Sequence, residues 1–124
     1  MAKKLFNSQS ILKISNYMKV NNKMELEIAV NDLDGEMINF SDFELPTSLK
    51  DIGWRLPSLD ELKKMHQMHK ENQLNFKNDW YMSSNWDEAY YNWRMNFSTG
   101  ECVHSDVSES HWGCCRVRLV RNIL

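Results

Sequence analysis

No run of apolar residues in this 124-residue chain approaches the roughly 20 needed to cross a bilayer as a helix. Basic charge is not in excess either, since 15 Lys and Arg stand against 17 Asp and Glu, a formal net charge of −2. That balance removes the basic footprint of a nucleic-acid binder and the polybasic patch of a membrane-surface anchor. Cysteine is scarce and odd in number: Cys102, Cys114 and Cys115. A bridge between the two adjacent residues would need a strained ring, so free thiols in a reducing compartment are expected. The basic start, Met1 to Asn7, runs on into Ser8, Gln9 and Ser10, where a secretory signal needs an apolar stretch. The expectation is a chain cytoplasmic as synthesised, leaving the cell only within a larger particle. Internal repeats and low-complexity tracts are also missing.

What is present is enough for one domain. With 42% apolar residues, 124 positions can bury a core but are too few for two ordinary domains. Aromatics are plentiful, with five Trp, four Tyr and five Phe, densest between Phe76 and Trp112 among Asn, Ser, Asp and His. Such a mixture suits a core short of long aliphatics or a recognition surface, where Tyr and Trp bring area at low entropic cost.

Local patterns divide the chain. Residues 1–23 read as a tail or extra strands ahead of a domain over 24–124: Ile11 to Ile14 and Tyr17 to Val20 have strand character, and Asn21-Asn22 is a turn signal. From Met24 to Val30, Leu26, Ile28 and Val30 alternate with Glu25, Glu27 and Ala29, predicting a half-buried strand. Asn31 to Gly35 reads as a loop. Over 41–52 a broken helix is expected, one turn up to Glu44 and another from Thr47, because Pro46 interrupts it. Pro57 keeps Leu56 out of the helical region, and Ser58 with Glu61 forms the spacing of a capping box. A main helix over 58–70 follows, with Leu59, Leu62, Met65 and His69 in one stripe and Lys63, Lys64, Gln67 and Lys70 turned away. Trp80 to Ser84 predicts a strand and Asn85 to Glu88 a loop. Tyr91, Trp93, Met95 and Phe97 then alternate with Tyr90, Asn92, Arg94 and Asn96. Gly100 suits a left-handed turn leading into Cys102 to Ser105, Asp106 to Gly113 is a polar loop, and Cys115, Val117 and Leu119 alternate with Arg116 and Arg118 in a last strand. Strands, a helix and an antiparallel meander make an α+β fold.

Several of these pieces recur together in one known family. Ala29-Val30-Asn31-Asp32, then Gly53-Trp54-Arg55-Leu56-Pro57 and Glu61-Leu62, then Tyr81-Met82-Ser83-Ser84, Trp93, Asn96-Phe97, Gly100 and Val117 to Arg121 fall in one order over about residues 24–122. In that order and spacing the chain resembles the Lcl C-terminal-like domain family. The resemblance implies a compact C-type-lectin-like domain, related at a distance to the formylglycine-generating, sulfatase-modifying enzymes and to the variable tips of phage tropism proteins. Two departures stand out: Pro46 falls where the family carries an uninterrupted helix, and the family's Tyr-Trp-Ser-Ser-Thr run reads Tyr81-Met82-Ser83-Ser84-Asn85 here.

Motifs for specific chemistry are weak. A calcium-dependent sugar site needs clustered carboxylate and amide oxygens, and neither a Glu-Pro-Asn nor a Trp-Asn-Asp run is found. His66 and His69 lack a third ligand at zinc spacing, so one histidine against the sheet and one in solvent is expected. His104, Ser105 and Asp106 are neighbours on a strand and have no nucleophile elbow, which argues against a hydrolase triad. The formylglycine-generating relatives bind copper through a cysteine pair, whereas Cys114 and Cys115 alternate across a strand and read as small hydrophobes. Neither a catalytic residue, a metal site nor a cofactor is therefore assigned.

What remains is a surface. Tyr90, Asn92 and Arg94 share one strand face, Arg116 and Arg118 share another, and Trp86, His104, His111 and Trp112 fall in or near the adjoining loops. Aromatic and Arg side chains presented together carry binding hot spots, and Arg reads carboxylate, sulfate or phosphate through its planar fork. The expected ligand-binding set is Trp86, Tyr90, Asn92, Arg94, His104, His111, Trp112 and Arg116. The alternative for Arg55, Arg116 and Arg118 is a structural role, tying carboxylates such as Asp60 or Glu101 beneath the loops, and for Arg118 that role is the one expected. The function expected is a non-enzymatic binding or display module for a protein or glycan, set in a phage particle or bacterial surface assembly and compatible with a homo-oligomer. A metal-dependent oxidase of the formylglycine-generating kind and a purely structural decoration domain are the alternatives.

Overall fold

The computed structural model describes residues 15–20, 23–39, 43–86, 91–106 and 114–123. Among them lie eight strands and two helices: β1 (Ser15–Val20), β2 (Lys23–Ala29), β3 (Ile38–Asn39), α1 (Thr47–Lys50), α2 (Leu59–Lys70), β4 (Trp80–Trp86), β5 (Tyr91–Asn96), β6 (Cys102–Asp106), β7 (Cys114–Cys115) and β8 (Val120–Asn122). The sheets are β1-β2-β8, β3-β7 and β4-β5-β6, each antiparallel. This is an α+β fold.

The capping box forms as the spacing predicts: Ser58 Oγ accepts from the Glu61 amide at 3.1 Å, and Glu61 Oε1 accepts from the Ser58 amide at 2.8 Å. α2 ends where Asn72 adopts φ +56, a left-handed conformation that Asn tolerates better than most side chains. Its inner face buries Leu62 and Met65 completely, each worth about 1.5–3 kcal/mol of apolar transfer. They join Tyr81, Met95 and Phe97 of the β4-β5 hairpin region, with Phe76, Leu26, Ile28 and Val120, in one core cluster. A second cluster gathers Ala29, Leu33, Ile38, Leu49, Trp54, Met82, Cys115, Val117 and Leu119.

Three expectations change. β2 is not half-buried, because Leu26 and Ile28 enter the first cluster while Ala29 enters the second and Glu27 is covered as well. The strand runs between two cores. The expected last strand divides into β7 and β8 because its hydrogen bonds go to several partners in turn. Cys115 registers with Ile38, Arg116 pairs with the β4 backbone, Val117 and Leu119 accept from the Leu33 and Ala29 amides, and Val120 exchanges bonds with Arg55. Such a segment is enclosed on all sides, so Arg118 is as buried as Val117 and Leu119. Of the broken helix, the turn from Thr47 is the part that forms among the described residues. Phe43 to Pro46 is not helical, and Ser41 and Asp42 lie outside the described residues, as does the Asn21-Asn22 turn.

Candidate functional site

The β4-β5-β6 sheet carries four of the eight expected surface residues, Trp86, Asn92, Arg94 and His104, and its register decides which of them reach solvent. Asn92 and Arg94 do not: Asn92 is fully buried and Arg94 is 6% exposed. The Asn92 amide donates to the Ser83 and Asn85 carbonyls at 3.0 and 3.2 Å, bracing an irregular stretch of β4 between Met82 and Trp86. Arg94 registers with Met82, stacks its guanidinium 4.7 Å from the Trp80 ring centre and lies 3.9 Å from Cys115 Sγ. Alternation along β5 separates two faces but cannot say which is outside, and here both are used. Met95 lies in the cluster under α2, and Arg94 faces the buried Cys115.

Three rings, those of Tyr91, Trp93 and His104, lie on the face of the sheet opposite to the Asn92 and Arg94 face. Trp93 registers with His104, and their rings stack at 4.8 Å with 29° between planes. Tyr91 adds a third ring, 5.7 Å from that of His104. Tyr91 and Trp93 are half-buried and His104 is exposed, while Met95, two residues further on the same face, is sealed beneath the helix. Trp86 ends β4, opposite Asn92, and stays 49% exposed, a large apolar area to leave in water. It belongs to the strand and not to a loop. Tyr90, His111 and Trp112 lie outside the described residues. The aromatic reading of the strand was legible, but its outward face was assigned to the wrong members, and Tyr91 and Trp93 were missed.

The arginines behave as tethers. Arg116 Nε meets Asp79 Oδ2 at 2.8 Å, with its Nη1 3.2 Å from the Gly35 carbonyl and 3.7 Å from Asp32. The Asp79 hydrogen bond holds the guanidinium even more firmly protonated than usual. Arg118 is only 1% exposed and donates to Asp32 Oδ1 at 2.8 Å, to Asn75 Oδ1 at 3.0 Å and to the Ala29 carbonyl at 3.2 Å, with its guanidinium 4.5 Å from the Phe76 ring centre. Tyr81 donates to the same carboxylate at 2.9 Å and accepts from the Lys77 amide. Burial, then the Asp32 charge, push the Tyr81 hydroxyl well above its ordinary value. Arg55 forks onto Glu61 at 2.8 and 2.9 Å. Arg118 is thus structural as expected, but on Asp32, and Arg55 is tied to Glu61, with Asp60 and Glu101 uninvolved in those bonds.

For metal chemistry the arrangement is poor. Among the described residues no three His, Cys, Asp or Glu side chains gather as a ligand set. Cys115 is fully buried with the Arg94 cation beside its sulfur, where a metal ion would have to sit, and the Cys114 side chain lies outside the described residues. The cysteine position therefore does not fit a copper ion. No protein-family model matches the chain, and no curated protein matches it in sequence.

Proposed function

We propose that the chain is a non-enzymatic recognition module of C-type-lectin-like kind, akin to the Lcl C-terminal-like domains, that binds a protein or glycan and is displayed on a phage particle or bacterial surface assembly. The observation that carries this reading is the stack of Trp93 on His104 beside Tyr91, with Trp86 half in water on the neighbouring strand. Flat rings on a rigid sheet offer contact area at small entropic cost, and such aromatics dominate binding energetics. The buried ties of Asn92, Arg94 and Arg118 support it indirectly, because they hold the sheet that presents the rings.

The test applies labelled full chain to an array of immobilised bacterial and host glycans, and to intact bacterial cells before and after protease treatment. Binding that falls at least about tenfold in Trp86→Ala and Trp93→Ala variants of unchanged melting temperature is the expected result. No binding to any of these targets, or binding indifferent to both substitutions, would overturn the reading.

A further inference from the structure

Away from the aromatic face, the end of α2, the approach to β4 and the β5–β6 turn enclose an open cleft of about 420 Å3. The helix contributes His66, His69 and Lys70, the approach to β4 contributes Asn78, and the turn contributes Ser98 and Thr99. Among the described residues lining it, none is a carboxylate, in a chain with 17 Asp and Glu.

The two imidazoles, expected to divide between sheet and solvent, are both half-buried and ordered by their surroundings. Their ring centres are 6.3 Å apart, and the Phe97 ring lies 5.4 Å from His66 and 5.8 Å from His69. His69 Nε2 is 2.7 Å from Asn78 Oδ1, which orients the ring and leaves Nδ1 for a second partner. His66 sits against Gly100, where a Cβ would come 3.0 Å from its Cε1.

We propose that this cleft binds an oxyanion of the sulfate or phosphate class, held by Lys70 and the protonated forms of His66 and His69, with the Ser98 and Thr99 hydroxyls as further donors. The carbonyl end of α2 carries about half a negative charge, which opposes an anion but favours protonated imidazoles. Up to three full positive charges outweigh it. Burial first, then the charges of Lys70 and His69, depress the proton affinity of His66, partly offset by its bond to Phe97. The charged or titratable groups lining the cleft beside it are those two; Asn78, Ser98 and Thr99 are neutral, Glu101 at the end of the turn is exposed and does not line the cleft, and Asp79, next to Asn78 in sequence, is held by Arg116. A bound anion supplies the missing negative charge, so binding takes up protons and tightens as pH falls.

The experiment titrates sodium sulfate, whose charge is constant over this range, into the full chain, with sodium chloride at matched ionic strength as control. Backbone amide and imidazole resonances are followed by NMR at about pH 7.5 and about pH 5.5. Saturable shifts confined to residues 66–70, Asn78, Ser98 and Thr99, with a Kd about tenfold lower at the acid pH, are expected for one proton taken up. Lys70→Gln, at an exposed position, should raise that Kd several-fold without moving the melting temperature, and His66→Gln should flatten the pH dependence. Shifts that fail to saturate, that chloride reproduces, that have the same Kd at both pH values or whose Kd is unchanged by Lys70→Gln would overturn the proposal.

Discussion

Replacing Arg118 with Met tests the centre of this fold most directly. The guanidinium is 1% exposed and ends on Asp32, Asn75 and the Ala29 carbonyl, so Met fills the volume but leaves the Asp32 carboxylate buried with Tyr81 and an Arg116 nitrogen 3.7 Å away. Stripping one partner from a buried ion pair costs about 3–5 kcal/mol, mostly because the remaining charge has lost its solvation. Against a typical total of roughly 5–15 kcal/mol, that is a large fraction of the stability of a single domain. Asp32→Asn removes the other charge, and the double variant removes both. The three are compared with the parent by urea denaturation. The double variant should be less destabilised than the sum of the singles by about 1–3 kcal/mol, because neither leaves an isolated charge behind once the other is gone. An Arg118→Met cost under about 1 kcal/mol, or strict additivity in the cycle, would refute the assignment of this pair as a coupled buried tether.

Three further outcomes follow from the same geometry. Ser58→Ala should lower stability by about 1 kcal/mol in denaturant melts, since the Glu61 amide loses its acceptor. Gly100→Ala should destabilise by about 1–2 kcal/mol in the same assay, because φ is +84 and the new methyl meets His66. The pH profile should have two identifiable arms. Burial raises the Glu61 carboxyl, but the Arg55 fork and the Ser58 bonds outweigh it and leave the group below its usual range, so its stabilisation is present near neutrality and lost as pH falls through the folded-state value. A Glu61→Gln variant should show a shallower acid limb in melts taken across pH. For Tyr81 the sign is opposite: the raised hydroxyl keeps its stabilisation below about pH 10 and loses it as pH climbs higher, so the tyrosinate absorbance of one residue should emerge only with alkaline unfolding.

Much of the local structure was written in short sequence patterns whose physics is local. Ser58 and Glu61 start α2 because the atoms they bond are three residues away, Pro46 and Pro57 exclude helix by their own rings, and Gly100 supplies a turn conformation that a side chain would strain. From these and from the alternation of β2 and β5, the α+β class follows, because period and punctuation belong to single segments. The orientation of each face does not. Only the tertiary structure decided that Asn92 and Arg94 turn inward and Trp93 outward, since both faces of β5 are packed along part of their length and alternation is symmetric between them. It decided likewise that Cys115 and residues 117–120 would be buried without alternation, because the partners of this segment are residues 29–39, Arg55, β2 and β4, all distant in the chain. The choice of Asp32 for Arg118, across 86 positions, has the same origin: a buried charge is stable only where folding brings its counterion, and no spacing along the chain records that meeting.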